Sequence, residues 1–327
     1  GNRRLPAARW TGIYWFRGEP HSPHDAGMTP VDSTPAADWR ETAWNGVRLR
    51  VPARWEPREV GRRYLLLASP DGPAMELRWG PAARKHADPA DYLRRLQPRK
   101  GPRRLIRPIA LPAAWQKALT GFACQGFSWS AGGQAASGAV LCCPVCRQAT
   151  LVQFFHPPGT GAGPTAAGVL SAFRDHGPAP TVVYAVFDIR AEVPAIFQLA
   201  GQRFEAGYFE LVFKGPRQRL VLHRWGPAGV LLQQTALATL SRRLLPGSNG
   251  RPEDLAIGPH QGLEWSQDPP QRGWRRWWGR LTPGERYRRY RIWHLPQRNR
   301  LLGVSLEGRL APPYPWLDAL CQAYESL

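Results

Sequence analysis

The stretch Arg78-Trp79-Gly80-Pro81-Ala82 returns letter for letter as Arg224-Trp225-Gly226-Pro227-Ala228, and this pair decides how the 327-residue chain is read. Upstream of it, without gaps, Glu59, Gly61, Leu65 and Pro70 recur as Glu205, Gly207, Leu211 and Pro216, always 146 residues later. A second signature follows in the same order, QGFSWS at 125–130 returning as QGLEWS at 261–266. Two ordered signatures imply an internal duplication. The chain then divides into an irregular N-terminal extension, residues 1–39, copy one, residues 40–177, and copy two, residues 181–327. HGPAPT at 176–181 supplies the Gly and Pro of a linker between the copies.

Hydrophobic periodicity fills in each copy. In copy one VRLRV at 47–51 alternates strictly, RYLLLASP ends at a turn and MELRW resumes an extended run, which predicts three short strands. Helix starts follow at DPADYLRRL from Asp88 and PAAWQKAL from Pro112. GFSWS, GAVLCC and QATLVQFF predict three more strands, and TAAGVLSAF from Thr165 a closing helix. Copy two predicts the same order through YFELVF, RLVLHRW, a helix VLLQQTALATLSRRL, strands around Trp265, Trp277 and Tyr290, and a final helix WLDALCQAYESL. The expected fold class is α+β: two tandem βββ-α-βββ-α units, antiparallel sheets with helices packed on them. The tryptophans shared by the copies, Trp79 with Trp225 and Trp129 with Trp265, are expected to be core anchors.

An opening strand ending in VPARW at 51–55, a hairpin, a helical crossover, three strands and a closing helix together resemble the Mog1/PsbP-type α/β sandwich. The resemblance implies a fold whose members mostly serve as binding or assembly subunits, and it brings no catalytic residue with it.

Charge speaks to partners. The formal net charge is +20 with a pI near 10.9, and arginine outnumbers lysine forty to four. Twenty-four carboxylates cannot neutralise such an excess, so the expected partner is a protein or an anionic polymer, nucleic acid included. No apolar run is long enough for a membrane helix. Five cysteines, an odd number without regular spacing, do not form a secreted disulfide framework and point to a reducing, cytoplasmic compartment. Gly1 in first place leaves open an exported precursor that was trimmed.

Three motifs suggest chemistry. PPGTGAGPT at 157–165 is a glycine loop between a strand and a helix, but Ala162 and Gly163 stand where a phosphate-binding loop needs Lys and Ser or Thr, so it reads as a connection with Pro164 opening a helix. LCCPVCRQ places Cys143 and Cys146 in a CxxC. Zinc needs a second pair of ligands, and Cys124, Cys142 and His156 are nearest in sequence, two of them on strand positions pointing apart. Thiol-redox chemistry wants the first cysteine at a helix N-terminus, whereas this pair sits in a turn between strands. The favoured reading is a hairpin turn, with His294 and Gln297 standing in copy two where Cys143 and Cys146 stand in copy one.

The third motif is RGWRRWWGRLTPGERYRRYRIWH at 272–294, where Arg272, Arg275, Arg276, Arg280, Arg286, Arg288, Arg289 and Arg291 interleave with aromatics and only Glu285 opposes them. Such a surface can pair with phosphates while rings stack on bases, although arginine also packs over aromatics on ordinary sheets. The eight histidines are scattered, and no carboxylate pair or Ser-His-Asp grouping stands out. The expected function is a non-enzymatic binding or assembly protein with a basic surface and no cofactor. A zinc or thiol-redox protein centred on Cys143 and Cys146, and a single-stranded nucleic-acid-binding protein, are the alternatives.

Overall fold

The computed structural model describes residues 38–82, 88–96, 106–177, 180–245, 247–248, 250–269 and 286–327. The expected irregular extension at 1–37 and the strand expected around Trp277 lie outside the described residues. Contacts divide the chain into a first unit, residues 1–42 and 47–176, and a second unit, residues 43–46 and 177–327.

The described residues open on β1 (Trp39–Trp44) and β2 (Val47–Pro52), residues 43–46 at their turn being counted with the second unit. Val47, Leu49 and Val51 are buried and Arg48 and Arg50 exposed, the alternation that makes one face of a strand apolar. Asn45 (φ 44°) and Gly46 (φ 96°) occupy the left-handed region that a two-residue hairpin turn requires. There follow β3 (Glu56–Gly61), β4 (Tyr64–Ser69), β5 (Gly72–Pro81), α1 (Pro89–Leu96), β6 (Arg107–Ile109), α2 (Ala113–Ala118), β7 (Ala123–Ala131), β8 (Gln134–Cys142), β9 (Gln148–His156) and α3 (Gly163–Ser171). Seven of these strands form a sheet in the order β3-β4-β5-β9-β8-β7-β6. β9 is buried on almost every residue because both faces are covered, which hides its period of two. Leu93 of α1 packs with Phe127, Trp129 and Val140 on one face, and Trp115 of α2 packs edge-on against Phe154 on the other, ring centroids 5.5 Å apart.

The second unit contains β10 (Thr181–Val186), β11 (Ile189–Pro194), β12 (Gln198–Glu205), β13 (Tyr208–Gly215), β14 (Gln218–Trp225), α4 (Ala228–Leu232), α5 (Leu237–Leu244), β15 (Glu253–Ile257), β16 (His260–Gln267), β17 (Tyr287–Leu295), β18 (Arg300–Gly308), α6 (Pro315–Ala323) and β19 (Glu325–Ser326). Its seven-stranded sheet runs β12-β13-β14-β18-β17-β16-β15. Leu240 of α5 packs with Trp225, Trp265, Tyr290 and Ile292. Also in the second unit, β10 pairs with β11 and β11 with β19, and Ala43, counted with this unit, pairs with Ala185 of β10.

These observations overturn the α+β expectation. The protein is mostly antiparallel β-sheet: of the described residues 52% are in strands and 19% helical, in three sheets, and among them no βββ-α-βββ-α arrangement exists. The described helices reach at most nine residues, too short to form a layer of their own. The helix expected over 230–244 breaks into α4 and α5, and the one expected at the C-terminus stops at Ala323, after which Glu325 and Ser326 pair with β11. Strands β1, β3, β6, β10, β11, β12, β15, β18 and β19 have no counterpart in the expected layout. Among the described residues, no helix is long and apolar enough to cross a membrane.

The two seven-stranded sheets share one strand order, yet the quoted repeat is not in ladder register. The turn after β8 and the turn after β17 match at a spacing of 152 residues: Pro144 with Pro296, and left-handed Arg147 (φ 57°) with left-handed Asn299 (φ 53°). On that spacing Trp79, opposite Thr150, corresponds to Arg224, opposite Leu302, and not to Trp225. A one-residue offset turns a side chain to the other face. Trp79 therefore shares the face of Phe154 and α2, while Trp225 shares the face of α5. All four shared tryptophans are buried.

Candidate metal centre

The turn joining β8 to β9 is built from Cys143 to Arg147. Cys142 closes the ladder opposite Ala149, the Cys143 amide donates to the Gln148 carbonyl at 2.9 Å, and the Arg147 amide donates back to the Cys143 carbonyl at 3.1 Å. Pro144 and left-handed Arg147 make the chain reverse within these residues. The reversal buries Cys143, leaves Cys146 exposed and puts Val145 at the tip, 73% exposed.

A second segment meets this turn. After α3, Phe173 is buried and Arg174 exchanges both backbone hydrogen bonds with Arg48 of β2, at 2.8 and 2.7 Å. The next two residues are Asp175 and His176. Cys143, Cys146, Asp175 and His176 each present one donor atom, and all four atoms lie within 4.8 Å of one another. The Cys146 thiol donates to Asp175 Oδ2 at 3.1 Å, Asp175 Oδ1 lies 2.6 Å from His176 Nδ1, and that nitrogen lies 3.6 Å from Cys143 Sγ.

The geometry converges on a point. In a Cys-His-Asp relay the imidazole uses one nitrogen for the thiol and the other for the carboxylate. Here Nδ1 alone faces both, which suits donors gathered around a common centre. Burial and the hydrogen bond to Asp175 push the Cys146 thiol up to about 12, against a backbone hydrogen bond from Gln148 that pulls it down. A cation between the donors would reverse that balance, since thiolate is the ligand form.

The sequence expectation named half of this cluster. Cys143 and Cys146 are brought together, but Cys124, Cys142 and His156 do not complete the set; burial pushes the thiols of Cys124 and Cys142 up to about 11, and His156 bonds Ser137 at 2.9 Å. Asp175 and His176 were missed because His176 was taken as the start of a linker. The counterparts of Cys143 and Cys146 on the 152-residue spacing are Leu295 and Arg298, one step beyond His294 and Gln297.

Of the eight arginines singled out, Arg272, Arg275, Arg276 and Arg280 lie outside the described residues. Within β17, Arg288 lies on one face of the sheet and Arg289 and Arg291 on the other, with Arg286 just before the strand. Arg291 pairs with Glu264 and Asp318, each at 2.6 Å, Arg289 with Asp268 at 2.7 Å, and Arg288 and Arg286 lie 3.8 and 3.9 Å from Glu307. Each of these four arginines thus has a carboxylate neighbour.

The second unit buries a polar chain of its own. His223 Nδ1 lies 3.0 Å from Tyr208 Oη, His223 Nε2 lies 3.0 Å from Ser305 Oγ, and the Tyr208 hydroxyl donates to Glu210 at 2.9 Å. Burial, helped by Arg219, pushes His223 down to about 3, so its ring is neutral at ordinary pH. The ring stacks on Trp225 at 5.0 Å between centroids. Both ring nitrogens of His223 and the hydroxyls of Tyr208 and Ser305 thus have partners, as a buried structural network requires.

Comparison with known proteins adds little to this geometry. No family model matches the chain, and no curated protein matches it. A crystal structure of a protein from Bacteroides thetaiotaomicron VPI-5482 is similar over 43% of this chain and 50% of that one, with 14% identity and a TM-score of 0.30. The chain thus spans about half the length of that protein, and a likeness at this level carries no argument. Membership of the Mog1/PsbP type is not confirmed.

Proposed function

We propose that the chain is a non-enzymatic metalloprotein in which Cys143, Cys146, Asp175 and His176 hold one Zn2+. The single observation that carries this reading is the convergence of four donor atoms from two separate segments within 4.8 Å. Two sulfurs, an imidazole nitrogen and a carboxylate oxygen form a donor set suited to zinc and too soft for magnesium or calcium. Four protein donors complete a tetrahedron, so no position is left for a reacting water or substrate. That favours a binding or assembly role over catalysis.

The reading treats residues 40–177 and 181–327 as two copies of one unit, with the metal donors, among the described residues, in the first alone. Their common strand order and their matched turns at Arg147 and Asn299 support it. Protein purified without added zinc, then analysed by mass spectrometry of its metals, is expected to carry about one zinc per chain. The double variant Cys143→Ser, Cys146→Ser is expected to carry none. Parent protein that neither retains zinc nor takes it up on titration overturns the proposal.

A further inference from the structure

We infer that the centre is exchangeable: a soft divalent cation enters and leaves the folded protein on the Cys146–His176 side, so that the site takes up and hands on metal instead of holding the fold together. This rests on the proposed zinc centre. Three observations carry it, none of which requires a cation to be present.

The donors are unequally buried. Cys143 and Asp175 are 5% and 6% exposed, whereas Cys146 and His176 are both solvent-exposed, the His176 side chain by 44%. Structural zinc sites are closed, and their metal is lost with the fold. Here a competing thiolate or imidazole can reach the cation past its two exposed ligands, and the four protein ligands can be replaced one at a time.

The turn that bears the cysteines does not depend on them. Between β17 and β18 the same reversal forms with Leu295 and Arg298 in their places, Pro296 matching Pro144 and left-handed Asn299 matching left-handed Arg147. His294 stands opposite Leu301 just as Cys142 stands opposite Ala149. The metal is therefore not what shapes the hairpin.

The other two donors are anchored independently as well. Arg174 is tied by both backbone hydrogen bonds to Arg48, and Phe173, 2% exposed, fills the core beside it. Asp175 and His176 follow directly on this anchor. Both halves of the site thus stay in place without a cation, and departure of the metal costs contacts at the site but leaves the sheet standing.

The test uses the full chain loaded with one zinc and mixed with rising concentrations of the chromogenic chelator 4-(2-pyridylazo)resorcinol. Release is followed by absorbance and the sheet by far-ultraviolet circular dichroism. Exchange predicts a release rate that rises in proportion to chelator, an unchanged dichroism spectrum, and full reloading of the stripped chain. A release rate independent of chelator and equal to the unfolding rate leaves the zinc centre intact and overturns exchange. Loss of the sheet signal on stripping overturns it equally. A chain that takes up no zinc removes the centre itself, and the inference with it.

Discussion

Arg289 and Arg291 are two residues apart on one face of β17, and their removal is expected to have unequal effects. The Arg291 side chain is 11% exposed and bridges Glu264, itself 16% exposed, to Asp318. Arg291→Ala leaves a largely buried carboxylate without its main partner, and the expected loss is about 2–3 kcal/mol. Arg289→Gln breaks a pair with the half-exposed Asp268 and a longer one, at 3.8 Å, with Glu264, which keeps Arg291, and is expected to lose under about 1 kcal/mol. Urea unfolding midpoints of the two variants test the difference; equal losses would show that burial of Glu264 is not what matters. His223 supplies a second residue-scale expectation. Its folded pKa of about 3 lies below the unfolded value of about 6.5, so the unfolded chain takes up a proton that the folded one refuses. Its contribution is complete above pH 6.5 and declines toward pH 3 by about 1.4 kcal/mol per pH unit. Arg219 opposes protonation, while Tyr208, Ser305 and, through Tyr208, Glu210 fix the neutral ring. His223→Gln is expected to be less stable than the parent at pH 7 and to lose less between pH 6.5 and 4.5. Denaturant titrations at both pH values should give the variant the shallower slope.

At the scale of elements, β8 tolerates no side chain at Gly138. A Cβ there would meet the Val152 carbonyl and lie 2.6 Å from Phe127 Cζ, because Phe127 stands directly opposite in β7 and folds its ring over the gap. Gly138→Ala is expected to cost about 1–3 kcal/mol, read from the shift of a chemical unfolding midpoint. An unchanged midpoint would mean that Phe127 finds another rotamer and that β9 shifts its Val152 carbonyl away at no cost. Elements also define what the sequence made legible. The strict alternation of Val47, Leu49 and Val51 announced β2, and the CxxC turn was recognised as a turn. Three-residue β6 was silent because its period cannot be read over so short a run. Asp175 and His176 were illegible for another reason. Their nearness to the cysteines arises only after β9 and α3 have carried the chain across the sheet and back, and the Gly and Pro that follow them resemble a linker. The ion-pair partners of β17 were hidden in the same way, since Glu264 belongs to the neighbouring strand and Asp318 to a helix. Identity of letters in the repeat gave no warning that Trp79 and Trp225 occupy opposite faces, because register is set by turns and pairing, not by local sequence.

For the whole molecule, zinc is expected to act on one unit only. The four donors all belong to the first unit, and binding to the folded state alone raises its stability by mass action. Calorimetry with and without a strong chelator should move the transition of the first unit by roughly 10 °C at saturating metal and leave that of the second where it is. A shift of both would mean that the units melt as one. The net charge of +20 remains a whole-molecule property, though Arg286, Arg288, Arg289 and Arg291 each lie beside a carboxylate. Asp175 and His176 are the last two residues of the first unit. A reading frame stopped after Arg174 would still encode every strand of that unit's seven-stranded sheet while deleting half the donor set. A gene fragment trimmed by eye to the end of the visible secondary structure would thus lose the metal site before any strand, and its 3′ boundary belongs beyond the codon for His176.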